Sequence, residues 1–76
     1  MVKELLEYLA KSLVDVPDGV NVLLLEGERS AILELKVSED DKGKIIGKDG
    51  RVAEALRRVV SAAGLRKGKR VVLDIL

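Results

Sequence analysis

The feature that most constrains this chain is a pair of glycines, Gly47 and Gly50, set inside an otherwise helical pattern. Upstream, a short helix candidate ends in Ile45-Ile46; downstream, a longer one begins at Arg51. The backbone must bend sharply between them, because glycine reaches dihedrals that other residues avoid. A helix starting at Arg51 aims unpaired N–H groups at that bend, and such a helix start attracts anions. Lys48 and Arg51 add positive charge at the same place. The stretch 45–51 therefore reads as a cradle for a nucleic-acid backbone.

The flanks supply the scaffold. Val2, Leu5, Leu6, Leu9 and Leu13 recur at helical spacing, so residues 2–14 form an amphipathic helix. Tyr8, the lone aromatic, is read as a packing residue of that helix. Val16-Pro17-Asp18-Gly19 is a turn, and the branched run 20–25 a strand. Glu26-Gly27-Glu28-Arg29 turns the hairpin, with an unusual dihedral expected at Gly27. Along the return strand, 31–37, Leu33, Leu35 and Val37 alternate with Ile32, Glu34 and Lys36, so the first set faces the helices.

Ser38 is placed to cap the next helix, with Glu39, Asp40 and Asp41 favoured by the positive end of its dipole. The helix from Arg51 to Ala63 carries a stripe of Val52, Ala55, Leu56, Val59 and Ala63, and Gly64 is its expected cap. A basic turn, 66–70, leads to a last strand, 71–76. Strands two and three are separated by two helices, a connection that lets them run parallel with a right-handed crossover. The expected fold is α+β in the order α-β-β-α-α-β. It is a two-layer sandwich with a three-stranded mixed sheet and three helices on one face.

Composition narrows the function. With 76 residues, 1–76 is read as a single domain. Histidine and cysteine are absent, which removes the commonest general base, the commonest metal ligand and all thiol chemistry. The glycine bend lacks P-loop spacing, and Asp40 and Asp41 are better used as dipole partners than as a catalytic pair. No catalytic residue, metal or cofactor is expected. No apolar run reaches the ~20 residues of a membrane span, and the acid-bearing start, 1–11, is not read as a signal peptide. A cytoplasmic protein follows. Charge is lopsided: residues 1–41 hold four basic and ten acidic side chains, residues 42–76 ten basic and three acidic. The second half suits a polyanion.

Gly47-Lys48-Asp49-Gly50, preceded by Ile45-Ile46 and followed by Arg51, resembles the GXXG loop of the KH domain family. The element order resembles its type II form, and the resemblance covers the whole chain, as in small stand-alone bacterial members. It implies single-stranded RNA as partner, with single-stranded DNA as an in vitro substitute. It also implies a role as RNA chaperone or post-transcriptional regulator, and pairing as a homodimer or with a larger KH-containing protein. Carried onto this sequence, the RNA-binding residues are Gly43, Lys44, Ile46, Gly47, Lys48, Asp49, Gly50, Arg51 and Val52. Bases would lie over Gly43, Ile46 and Val52, and over Ile32 and Lys36, while Lys44 and Arg57 steer the strand. Asp49 departs from the usual neutral or basic residue in the loop, and Ala53 from the usual large aliphatic. The competing reading is a KH-fold protein-interaction module with weak or lost nucleic-acid binding.

Overall fold

A computed structural model describes residues 2–76. Helix α1 spans Val2–Leu13, strands β1 and β2 span Asn21–Glu26 and Ser30–Lys36, and helices α2 and α3 span Lys42–Ile46 and Arg51–Arg66. Strand β3, Arg70–Ile75, ends the order. The sheet runs β1-β2-β3 with β2 central, β1 antiparallel and β3 parallel to it. The mixed sheet and the α-β-β-α-α-β order are those the sequence implies.

The helices cover one face of the sheet. Leu33, Leu35 and Val37 are buried beneath them, as the alternation on β2 requires, with Leu6 and Ala10 of α1, Ile45 of α2 and Leu56 and Val60 of α3 in the same core. Complete burial of a side chain such as Leu6 contributes about 2 kcal/mol by area. Every second residue on each strand is left on the opposite face, where Leu23, Leu25, Ile32 and Val72 are about half exposed.

Several local expectations give way to tertiary contacts. Helix α3 does not stop at Ala63; it runs through Gly64 to Arg66. Its buried residues are Ala53, Leu56, Val60 and Gly64, while Ala55 and Val59 are exposed. The stripe is shifted because small residues bring the helix close to the sheet: a Cβ on Gly64 would lie 2.2 Å from Val71 Cγ2 and 3.1 Å from Lys69 O. The cap glycine is instead Gly68, at φ 74°. Its N–H donates to Leu65 O at 3.0 Å and that of Lys69 to Gly64 O at 2.9 Å, the bond pair of a Schellman motif. Gly27 is absent from the left-handed residues; the hairpin closes through its N–H to Ser30 O at 2.8 Å. Tyr8 is 70% exposed, outside the core.

Ser38 makes no side-chain capping bond. Asp41, expected at the helix dipole, is buried instead and accepts the main-chain N–H groups of Asp15 at 3.1 Å and Val16 at 3.0 Å. Burial pushes its carboxyl up, but those two donors and the Lys44 ammonium prevail and hold it below the ordinary carboxylate value. Lys44 pairs with Asp15 and lies 3.6 Å from Asp41. Its hydrogen bond to Asp15, opposed by burial and aided by Asp41, raises the ammonium above its ordinary value. This cluster fastens α2 to the turn after α1.

Candidate nucleic-acid interface

Helix α2 has five residues and ends where Gly47 N–H donates to Gly43 O at 2.8 Å. Gly47 then takes φ 76°, ψ 176°. Glycine is required there twice over, because a Cβ would lie 2.4 Å from Val52 Cγ2 and 2.9 Å from Val52 N as well as demanding a positive φ. Asp49 sits at φ 57° and Gly50 at φ 75°. The left-handed region is one that aspartate and asparagine tolerate better than most residues, which gives Asp49 a backbone reason to be present. Its carboxylate does not cap α3: the N-cap is Gly50, with no side-chain bond. The first N–H groups of α3 therefore face outward from the bend, with the positive end of a 16-residue helix behind them.

Lys48, Asp49 and Arg51 are exposed. Among the described residues none of the three takes part in an ion pair, whereas Lys42 pairs with Glu39, Lys44 with Asp15, Arg58 with Glu54 and Lys69 with Glu26. The loop thus keeps two cations uncommitted beside an open helix start.

From this loop a cleft leads to the edge of the sheet, lined by Lys42, Ile46, Gly50, Ala53, Arg57, Ile75 and Leu76. Ile46 is 41% exposed at its rim. Arg57 Nε donates to Leu73 O at 3.4 Å, holding the guanidinium against β3. Gly43 is open, with nothing within 4 Å of a Cβ built on it. Beyond Arg57 the hollow continues between α3 and β3, past Arg58, Ser61, Leu65 and Val72.

The structure brings Gly43, Ile46, Gly47, Lys48, Asp49, Gly50 and Arg51 to α2 and the bend; of these, Ile46 and Gly50 line the cleft, while Arg51 lines the hollow over Leu9 and Leu13. The fold places Lys44 in the Asp15–Asp41 cluster, and Val52 on the opposite side of α3, over Gly47 and beside Leu9 and Leu13. Ile32 and Lys36 are corrected outright: both lie on the sheet face away from the helices, and the far wall of the cleft is β3. Ala53 lines the wall at the position the sequence marks as a shortened aliphatic, whereas Ile75 and Leu76 were missed as wall residues. The parallel pairing that makes β3 an edge strand was legible, but which edge the cleft meets was not. A separate hollow of about 270 Å³ at the other end, lined by Val2, Leu24, Leu33, Gly64 and Val71, lacks the loop, and its Lys69 is tied to Glu26 and Gly27 O. Among the described residues no group of acidic side chains is arranged to hold a metal ion, and no helix is long and apolar enough to cross a membrane.

A two-layer α+β fold whose two central helices meet at a GXXG bend beside a sheet edge defines a KH-type domain. Residues 3–75 match the family described as KhpA/KhpB, KH domain, and the chain belongs to that family. It is 57% identical over 74 residues to the RNA-binding protein KhpA of Clostridium acetobutylicum, covering 97% of this chain and 99% of the relative. It is 50% identical to the RNA-binding protein KhpA of Aquifex aeolicus, covering 97% and 94%. Among solved structures it is similar to Era in complex with MgGDPNP and nucleotides 1506–1542 of 16S ribosomal RNA, with a TM-score of 0.64 and 22% identity. That match covers 97% of this chain and 28% of the other, and it bears on the fold alone.

Proposed function

We propose that the chain binds single-stranded RNA through the loop and cleft, as a cytoplasmic RNA chaperone or post-transcriptional regulator that performs no catalysis. One observation carries this reading. Lys48 and Arg51 stand exposed and unpaired beside the open N-terminus of α3, on a bend whose glycines let a sugar–phosphate chain approach. The relatives' name, RNA-binding protein, agrees with it. About four nucleotides would lie in the cleft. Main-chain N–H groups near Lys48 to Arg51 would hold a phosphate, with Lys48 as a mobile charge and Arg51 as a planar one. Bases would rest over Gly43, Ile46 and Ala53, and Arg57 and the polar groups of the β3 edge would read their edges. Lys44 and Val52 support the site from behind, one by fastening α2 and the other by fixing Gly47.

Affinity rests on few phosphates. With roughly three neutralised, log affinity falls with log salt at a slope of about −2. Weak single clefts favour pairing, with a second copy or with a larger KH-containing protein, because linkage raises effective concentration.

Filter binding to a short single-stranded RNA, with salt varied, tests the reading. Lys48→Asp is expected to weaken binding about tenfold, equivalent to ~1.4 kcal/mol, with Tm unchanged because the side chain has no partner in the fold. Retained affinity in the folded variant overturns it. A protein-interaction module with weak or lost RNA binding is the second reading. It draws on the Asp49 carboxylate and on the exposed apolar sheet face, and predicts no salt-dependent RNA binding in the same assay.

A further inference from the structure

The hollow between α3 and β3, past the end of the cleft, carries groups that a strand of about four nucleotides leaves unused. It measures about 590 Å³ and shares Arg57 with the cleft, so the two form one continuous track. Arg58, Ser61 and Leu65 recur at helical spacing and make its helix wall. Val71, Val72 and Leu73 make its strand wall.

These walls suit a nucleotide in three respects. Leu65 is 67% and Val72 52% exposed, one on each wall, which gives a flat ring two apolar flanks. Arg58 and Ser61 stand one turn apart on α3 and offer donors to a phosphate. The one carboxylate in the lining, Glu54, is engaged by Arg58 at 3.2 Å, an exposed helix pair that a phosphate displaces at little cost.

The third respect is the strand edge. Arg70 N–H donates to Arg29 O at 2.9 Å and Leu76 N–H to Leu35 O at 3.0 Å, so alternate residues from Arg70 to Leu76 turn their main chain to β2. Val71 and Leu73 turn theirs to the open edge. Leu73 O accepts from Arg57 Nε. Among the described residues, the Leu73 N–H and both main-chain groups of Val71 have no partner there. Such an edge is free to bond another polar group.

We propose that the RNA strand does not end at Arg57 but continues through this hollow, a second subsite that takes about two further nucleotides. This subsite presupposes the function proposed above and lengthens its footprint from about four nucleotides to about six. Arg58 and the Ser61 hydroxyl hold a phosphate, a base lies between Leu65 and Val72, and the free main-chain groups of Val71 and Leu73 bond its edge. Arg58 to Leu65 spans about 10 Å of helix. A stacked strand advances about 3.4 Å per nucleotide and an open one more, so about two nucleotides fit.

Titrations of the full chain with oligouridylates of four and six nucleotides, read by NMR and by anisotropy at varied salt, test the subsite. Sliding of the longer strand over a four-nucleotide footprint raises affinity no more than about threefold and leaves the salt slope alone. With the subsite filled, six nucleotides are expected to bind about tenfold tighter than four, and the slope to steepen from about −2 to about −3. The amides of Ser61, Leu65 and Val72 are expected to shift with six nucleotides only. Arg58→Gln and Val72→Ser are each expected to bind four nucleotides as the wild type does and to lose most of the gain at six. Arg58→Gln also returns the slope to about −2. Lys36→Gln, the same loss of charge on the sheet face away from the helices, is expected to change neither affinity. A gain of about threefold or less at constant slope overturns the subsite and leaves the RNA reading standing. The hollow then belongs to another occupant, such as a peptide strand on the β3 edge. Variants that weaken both lengths equally overturn it too, and no binding at either length overturns both readings.

Discussion

Two bends of this molecule look alike in the sequence and work differently in the fold. Residues 47–50 and 64–68 each contain two glycines among basic side chains. In the first, both glycines take positive φ, Asp49 does so between them, and the cations point to solvent without partners. In the second, Gly64 is helical and buried against Val71, only Gly68 takes positive φ, and Lys69 is bound to Glu26 and to Gly27 O at 2.6 Å. One bend is kept open to something outside the chain; the other ties α3 to the hairpin. Among the described residues Arg66 and Lys67 of the second bend are exposed and lack ion pairs as well, so what separates the two bends is the run of positive φ at Gly47, Asp49 and Gly50 and the open helix N-terminus beside it.

The largest expected effect contrasts the glycines themselves. Gly47→Ala meets both a steric clash with Val52 and a left-handed backbone. A loss of about 3 kcal/mol is expected, seen as a fall of more than 10 °C in Tm. Gly64→Ala meets the clash without the dihedral penalty and gains helix propensity, so about 2 kcal/mol is expected from urea denaturation. If the two losses were equal, the positive φ at Gly47 would be carrying no strain.

Next in size is the charge contrast. Lys48→Asp is expected to lower RNA affinity about tenfold, and Lys67→Asp, on the tied bend, less than about twofold. Equal losses would erase the distinction between the bends.

Acid sharpens the account of how α2, and with it the loop, is held. Asp41 has a depressed pKa in the folded state, so its stabilisation is full above the ordinary carboxylate value and is lost as pH falls through the folded one. Thermal melts are expected to show Tm falling below about pH 4, and Asp41→Asn is expected to flatten that limb by roughly 5 °C while lowering Tm at neutral pH. An unaltered acid limb would mean that other carboxylates carry it.

The smallest effect is expected at Gly43, where an added Cβ meets only open space. Gly43→Ala should raise stability by about 0.5 kcal/mol in denaturant titrations while weakening RNA binding, since the new methyl would stand in the strand's path. Unchanged affinity would move that path away from α2.

Much of this was legible one residue at a time. Alternation on β2 named its buried face, helical spacing named α1, and Gly47 and Gly50 named the bend, because each depends on contacts between near neighbours. The face of α3 was not legible: apolarity favoured Val59 over Gly64, whereas close packing on the sheet favoured the smaller residue. Asp41 gave no sign of its burial, since its partners, Asp15 and Val16, lie 26 and 25 residues away. Lys44 likewise looked like a free cation until Asp15 was folded against it.

The sequence by itself determined the elements, their order and the place of the bend, since dihedral freedom, turn chemistry and amphipathic period are properties of adjacent residues. Tertiary structure alone decided which charges remain free, which glycine is a cap and which a packing surface, and which sheet edge walls the cleft. Those depend on distances between residues far apart in the chain, and no local pattern encodes a distance.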